Sequence, residues 1–122
     1  MDQPNRFQKL VADAKQRITE ISATDAQQQA ANGQARLIDV REESEWNDGH
    51  APNAQHLSRG AIEVEIEDEI PDLNQPIICY CGGGSRSALV ADNLQKMGYT
   101  NVRSLAGGMR AWKEAGLPVT RD

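Results

Sequence analysis

Cysteines, aromatic residues and positive charge are all scarce in this chain of 122 residues. The two cysteines, Cys79 and Cys81, lie two positions apart and cannot form the disulfide framework of a small secreted domain. Aromatic residues make up 4% of the chain and its net charge is -5, so neither base stacking nor nucleic-acid binding is expected. No apolar run approaches membrane-spanning length, so no association with a membrane is expected.

The N-terminus also lacks the features of a secretion signal. The first residues, Met1 to Pro4, contain neither a basic segment nor an apolar core. Together with the two cysteines, this predicts a reducing, cytoplasmic setting. A length of 122 residues allows one domain with a hydrophobic core of its own.

The segment from residue 76 to residue 87 combines an apolar run, a cysteine, three glycines and an arginine. Its apolar part, residues 76–80, predicts a short buried strand, and the apolar spacing after Ser85 predicts a helix. Glycines in such a link let backbone N–H groups converge on an anion at the N-terminus of the helix. Cys81 directly precedes them, so its own sulfur can be that anion; the glycines are Gly82, Gly83 and Gly84.

Cys81 is therefore predicted to be a reactive thiolate. The pKa of a free thiol is about 8.5, and a helix N-terminus or a nearby cation such as Arg86 lowers it. In the simpler interpretation Cys81 is a buried core residue and the glycines only form a turn, which leaves the coincidence of glycines, arginine and helix start unexplained. Cys79 has the same side-chain direction and is predicted to pack in the core, with a role as a resolving thiol left open.

Strand and helix patterns alternate along the rest of the chain. Their order predicts an α/β fold with a parallel sheet and right-handed crossovers. An amphipathic helix precedes them, and we divide the chain into an N-terminal helical extension at 1–17 and a domain at 18–122. The helix is predicted to dock on the domain, with a contact to a partner or a second copy as the alternative. Predicted strands cover 18–22, 35–40, 55–57, 76–80 and 101–105, and predicted helices cover 25–32, 42–47, 61–70, 86–97 and 109–115.

Some local assignments depend on single residues. Thr24 is predicted to cap the helix at 25–32, and Trp46 is predicted to anchor the core. Between residues 61 and 70, isoleucine and valine alternate as in a strand while the glutamates favour a helix, and we predict a short helix. His50 and His56 are candidates for an acid or base, but the histidines and cysteines show no metal-ligand spacing, so no metal site is predicted.

Asp39 interrupts an otherwise apolar strand near its carboxyl end. A buried carboxylate needs a polar or charged partner, and Arg41 lies close enough in the chain to provide one. In open α/β sheets the ligand crevice lies beyond the carboxyl ends of the strands. Asp39 and Arg41 are therefore predicted to support the functional site, with a purely structural ion pair as the alternative.

These segments together resemble the rhodanese (sulfurtransferase) family. The resemblance covers residues from about 18 to 118 and implies an open parallel five-stranded sheet with helices on both faces. No cofactor is expected. The chain departs from the family pattern at Asn53, where the family usually has glycine. The matching segments are residues 39–42, Trp46, residues 49–52, Ala54, residues 59–60, residues 81–87, residues 105–108 and residues 111–112.

By that resemblance, Cys81 carries sulfur between two substrates. Its thiolate attacks the outer sulfur of thiosulfate or a related anionic donor, sulfite leaves, and a Cys81 persulfide forms. Cyanide or a thiol, including one carried by a protein, then accepts the sulfur. By the same resemblance, the carboxylate of Asp39 is expected to support the loop. The residues expected to bind the donor are Gly82, Gly83, Gly84, Ser85, Arg86 and Ser87, with Arg59 as a weaker candidate.

Two other classes of function remain open. Cysteine phosphatases have a similar loop with five residues between cysteine and arginine, whereas four separate Cys81 from Arg86 here. The shorter loop fits a single terminal sulfur better than a tetrahedral phosphate. The other class is a module that binds a partner without catalysis, which would have no need of a thiol at Cys81.

Overall fold

The structure is a computed structural model that describes residues 3–122. Met1 and Asp2, the first residues of the predicted extension at 1–17, lie outside the described residues. Within residues 3–122, none of the helices is both long enough and apolar enough to cross a membrane. The elements of this part of the chain are, in order, α1 (Arg6–Lys15), β1 (Thr19–Ile21), α2 (Ala23–Ala31), β2 (Arg36–Asp39), α3 (Glu43–Asp48), β3 (Ala54–His56), α4 (Ile62–Glu69), β4 (Ile77–Tyr80), α5 (Ser85–Lys96), β5 (Val102–Leu105) and α6 (Gly108–Glu114).

The five strands of the described chain pair in parallel in the order β1-β5-β4-β2-β3. Alternate residues of the central strand β4 point to opposite faces of the sheet. Ile77 and Cys79 pack with residues of α4 and α5, whereas Ile78 and Tyr80 pack with residues of α2 and α6. Because both faces are covered, β4 is apolar along its whole length. The predicted α/β fold, an open parallel five-stranded sheet with helices on both faces, is confirmed.

Helix α1 packs on α5 rather than on the sheet. Val11 and Ala14 are buried against Ala88 and Leu89 of α5, so the predicted docking of the amphipathic helix is confirmed for these positions. Just beyond α1, the Arg17 guanidinium donates two hydrogen bonds, of 3.0 and 2.8 Å, to the Asp92 carboxylate on α5. The first helix is thus attached to the helix that begins at the predicted catalytic loop.

The prediction that Thr24 caps α2 is wrong. The helix begins at Ala23, and the Ser22 side chain accepts a hydrogen bond from the backbone N–H of Asp25 at 3.2 Å. Ser22 has the extended backbone of an N-cap because it directly follows β1, whereas Thr24 already lies inside the helix.

The prediction that Trp46 anchors the core is also wrong. Its helix α3 has no buried residue, and Trp46 itself is half-buried. The Trp46 ring stacks on His50 with 3.4 Å between centroids and on His56 with 5.1 Å. A ring nitrogen of each histidine also hydrogen-bonds a backbone carbonyl, of Trp46 and of Arg41 respectively. The two histidines therefore help to position the segment between β2 and β3.

Residues 62–69 form the short helix that was predicted from an ambiguous pattern. Ile62 and Ile66, one helical turn apart, are fully buried, whereas Val64 is 83% exposed. In a strand, Val64 would point to the same side as the two isoleucines. The burial pattern thus has the period of a helix.

Asn53, the departure from the family pattern, has a φ of 68°. That value lies in the left-handed region, which glycine adopts most readily and which asparagine tolerates better than other residues. Among the residues that the structure describes, Asn53 is the one non-glycine residue with positive φ. The substitution therefore preserves the turn.

Candidate active site

Cys81 lies at the carboxyl end of the central strand, directly before the three-glycine loop. Its sulfur accepts hydrogen bonds from the backbone N–H of Gly84 at 3.1 Å and of Ser87 at 3.4 Å, and the Ser87 hydroxyl lies 3.5 Å away. Helix α5 begins at Ser85, so its first N–H groups surround the sulfur. The loop therefore directs backbone N–H groups at the Cys81 sulfur, an arrangement that favours the thiolate over the thiol.

Burial alone would raise the pKa of Cys81, which is only 1% exposed. Hydrogen bonds from the Ser87 hydroxyl and from the backbone N–H groups of Ser87, Gly84 and Gly83 outweigh burial and lower this pKa below its ordinary value. Cys79 has no such donors, and burial raises its pKa to about 12. The structure confirms Cys79 as a core residue, since it is fully buried in the cluster formed with α4 and α5.

Ser104 is a member of this network that the sequence did not indicate. Its hydroxyl on β5 lies 2.8 Å from that of Ser87, and both side chains are fully buried. If Ser104 donates to Ser87, the Ser87 hydrogen is free to point at the sulfur. The pair comes from neighbouring elements that are 17 residues apart in the chain, so no local pattern links them.

The loop is also fixed by the start of α6. The backbone N–H of Met109 donates to the Cys81 carbonyl at 2.8 Å, and that of Arg110 donates to the Gly82 carbonyl at 3.1 Å. A Cβ on Gly108 would lie 2.4 Å from the Cys81 carbonyl oxygen, so only glycine allows this approach. No local sequence pattern indicated this contact between the start of α6 and the loop after β4.

The guanidinium of Arg86 is bound by Glu45 of α3. Two hydrogen bonds, of 2.9 and 3.0 Å, join Nη1 and Nη2 of Arg86 to the two carboxylate oxygens. The bond from Arg86 is the main reason that the pKa of Glu45 is lowered to about 2. Nη2 of Arg86 also lies 3.4 Å from where a Cβ on Gly82 would be, so the ion pair borders the loop. Sequence reasoning missed Glu45 because its partner is 41 residues away.

Asp39 and Arg41 form a buried ion pair at the carboxyl end of β2. Nε and Nη2 of Arg41 donate to the Asp39 carboxylate over 2.8 to 3.1 Å, and Nη2 also donates to the Gly49 carbonyl at 2.7 Å. The two side chains are 0% and 6% exposed. They join the end of β2 to the far end of α3, the helix that carries Glu45.

Arg59 lies in a different place from the loop residues. Its side chain lines a groove of about 190 Å³ beside α1 and α5, together with Arg17, Leu89 and Asp92. Its backbone N–H donates to the Val40 carbonyl at 3.0 Å. A role of Arg59 in donor binding stays a prediction.

An open parallel sheet with a cysteine after its central strand, and N–H groups directed at the sulfur, defines a class of α/β proteins built to stabilise a thiolate. The match to the model of the rhodanese-like domain, over residues 22–115, shows that the chain belongs to that family.

The chain is similar to one curated relative and to two solved structures along most of its length. The thiosulfate sulfurtransferase GlpE of Vibrio cholerae is 32% identical over 99 residues, which cover 81% of this chain and 92% of the relative. The solution structure of a homodimeric polysulfide-sulfur transferase from Wolinella succinogenes is 31% identical, with a TM-score of 0.80 over 93% of this chain and 86% of the other. A protein of unknown function from Rhodopseudomonas palustris, described as a possible tyrosine phosphatase, has a TM-score of 0.86 and 28% identity over 98% of this chain and 99% of its own.

Proposed function

We propose that this protein transfers a sulfane sulfur from thiosulfate or a related anionic donor to a thiol or cyanide, through a persulfide on Cys81. The observation that carries the proposal is the Cys81 sulfur held by the N–H groups of Gly84 and Ser87, with a lowered pKa. A thiolate at ordinary pH is the nucleophile that sulfur transfer needs.

In the first half-reaction the Cys81 thiolate attacks the outer sulfur of thiosulfate. A new sulfur–sulfur bond forms to Cys81, the bond between the two sulfurs of the donor breaks, and sulfite leaves with the electron pair. The product is the Cys81 persulfide anion, so the total charge is unchanged. The donors that hold the thiolate, chiefly the N–H groups of Gly84 and Ser87, can hold the terminal sulfur of the persulfide in the same way.

In the second half-reaction an acceptor thiolate, or cyanide, attacks the terminal sulfur of the persulfide. The bond to Cys81 breaks and the Cys81 thiolate is restored. Because both half-reactions end with an anionic sulfur in the same loop, one set of N–H donors serves both.

The remaining predicted residues take supporting parts in this proposal. Arg86 has five N–H donors and gives two of them to Glu45, so others stay available for the oxygens of a donor. Residues 82–85 supply the backbone of the loop. Asp39 and Arg41 act as positioning residues through α3, and Arg59, which lines the groove beside α1 and α5, is the weaker candidate for binding the donor. The free thiols of Cys79 and Cys81 support a reducing, cytoplasmic setting.

A phosphatase is the second candidate, favoured by the description of the Rhodopseudomonas palustris structure. Two observations favour sulfur transfer instead. Four residues separate Cys81 from Arg86, and the Cys81 side chain is only 1% exposed, so a narrow terminal sulfur reaches it more easily than a phosphate group. A partner-binding module without activity would not require the lowered pKa of Cys81.

The test is steady-state turnover of thiosulfate with cyanide, and separately with a small thiol, for the wild type, Cys81→Ser and Cys79→Ala. We expect turnover in the wild type and in Cys79→Ala and none in Cys81→Ser. Hydrolysis of p-nitrophenyl phosphate by the same samples tests the alternative. Phosphate release that depends on Cys81, without any sulfur transfer, would replace the proposal with a phosphatase.

A further inference from the structure

Arg110 is a cation at the loop to which no sequence motif assigned a role. It is the third residue of α6, and its backbone N–H donates to the Gly82 carbonyl at 3.1 Å. Its guanidinium reaches the loop, because Nη2 lies 3.3 Å from where a Cβ on Gly83 would be. Gly83 thus leaves room for the guanidinium over the loop that holds Cys81.

The two guanidinium groups at the loop differ in their partners. The charge of Arg86 is compensated by the carboxylate of Glu45, at 2.9 and 3.0 Å. Within residues 3–122, no salt bridge involves Arg110, and its side chain is exposed. Arg110 therefore provides the uncompensated positive charge on the Gly83 side of the loop.

This placement matches the shape of an anionic sulfane donor. The Cys81 sulfur lies at the bottom of the loop, so the terminal sulfur of the donor has to point inward and its oxyanion end outward. An exposed guanidinium that faces the outer side of the loop can take two oxygens of a sulfonate group in a forked pair of hydrogen bonds. The guanidinium also stabilises the negative charge of the sulfite that leaves.

We propose that Arg110 binds the oxyanion end of the sulfur donor and so selects small donors with a charged oxygen-bearing end. This inference rests on the proposed sulfur transfer at Cys81. The two arginines then have different roles. Arg86 forms an ion pair with Glu45 of α3, whereas the guanidinium of Arg110 is available to bind the substrate.

The first arm of the test compares Arg110→Gln with Lys113→Gln in the full-length protein. Lys113 is one turn further along α6, is also exposed, and forms no salt bridge within residues 3–122, so its variant makes the same change in net charge away from the loop. We expect kcat/KM for thiosulfate to fall about tenfold in Arg110→Gln, the effect of losing one charge-assisted contact, mainly through KM. Lys113→Gln should match the wild type, and Arg110→Lys should recover part of the loss.

The second arm does not depend on sulfur transfer. Cys81 is alkylated with iodoacetate, an anion, and with iodoacetamide, its neutral analogue, and the two rates are measured by mass spectrometry of the peptide. We expect the ratio of the iodoacetate rate to the iodoacetamide rate to fall several-fold in Arg110→Gln and to stay unchanged in Lys113→Gln.

The two arms separate the possible failures. If thiosulfate is not turned over but the alkylation ratio falls in Arg110→Gln, the proposed function fails and Arg110 still binds anions at Cys81. If the ratio is the same in Arg110→Gln and the wild type, or if kcat/KM for thiosulfate is the same in a protein that does turn it over, the role of Arg110 is overturned.

Discussion

At the scale of single residues, hydrogen bonds rather than burial separate the chemistry of the two cysteines. Cys79 and Cys81 are 0% and 1% exposed, and burial raises the pKa of Cys79 to about 12. Burial acts on Cys81 in the same direction, but the donors from Ser87, Gly84 and Gly83 reverse its effect and lower the pKa. The pKa values of the two thiols therefore shift in opposite directions, because only the Cys81 sulfur lies beside the first N–H groups of a helix.

Replacement of Ser87 by alanine should raise the pKa of Cys81. The change removes the hydroxyl, the strongest of the donors that lower this pKa. We expect the rate of alkylation by iodoacetamide to reach half its maximum at a lower pH in the wild type than in the variant, with a several-fold slower reaction of the variant at neutral pH. Ser44→Ala, at an exposed serine, is the control, and a coincident profile for Ser87→Ala would contradict the role of the hydroxyl.

At the scale of the elements, the contact between α6 and the loop after β4 decides the shape of the site. Gly108 has a φ of 56°, and its missing Cβ allows the Met109 N–H to reach the Cys81 carbonyl at 2.8 Å. The backbone that presents the N–H groups to the Cys81 sulfur is therefore held from both sides, by α5 and by α6. Pre-set donors of this kind cost no rearrangement when the charge on the sulfur changes.

Replacement of Gly108 by alanine should destabilise the protein and distort the loop. The added Cβ would lie 2.4 Å from the Cys81 carbonyl oxygen, whereas a Cβ on Gly116 meets nothing within 4 Å. Both glycines have positive φ, so Gly116→Ala controls for backbone strain. We expect the free energy of unfolding in urea to fall by about 1 to 3 kcal/mol more in Gly108→Ala than in Gly116→Ala. Equal losses would mean that the close approach is not needed.

The sequence predicted those parts of the structure that local patterns encode. Strand β4, the loop and helix α5 were predicted from consecutive residues: an apolar run, three glycines and a helical spacing of apolar residues. Helix α4 was predicted because its glutamates favour a helix although its isoleucines and valine alternate as in a strand. The site residues that were missed, Glu45, Ser104 and Arg110, contact the loop from other elements. The order of strands and helices in the sheet brings Glu45 to Arg86, Ser104 to Ser87 and Arg110 to Gly83. The predictions for Thr24 and Trp46 were wrong because the surrounding elements decide both positions. Strand β1 ends at Ile21, so Ser22 and not Thr24 is the N-cap of α2. Trp46 lies in α3, which leads to the edge strand β3 and has no buried residue.

At the scale of the whole molecule, the N-terminal helix is packed on the helix that carries the active-site loop. Val11 and Ala14 are buried against α5, and Arg17 binds Asp92 on the same helix. Support for α5 therefore comes from both the sheet and α1. Whether residues 1–17 count as an extension or as part of the domain depends on how much stability this contact provides.

Replacement of Val11 by alanine measures that contribution. The side chain is 6% exposed, so loss of two methyl carbons should lower the free energy of unfolding by about 1.5 kcal/mol, at about 0.8 kcal/mol for each buried carbon. Val64→Ala is the matched control, because it makes the same change in a helix at a position that is 83% exposed. If both variants unfold at the same urea concentration, α1 is an appendage that the domain does not need.

The measurement that tests the central claim most directly is the intact mass of the protein before and after incubation with thiosulfate, with Cys81→Ser treated in parallel. We predict a gain of one sulfur atom in the wild type, no gain in the variant, and loss of the added sulfur, with formation of thiocyanate, when cyanide is supplied. No gain in a wild-type sample whose Cys81 still reacts with iodoacetamide would contradict a persulfide formed from thiosulfate. A gain that persists in Cys81→Ser would contradict the assignment of Cys81 as the sulfur carrier.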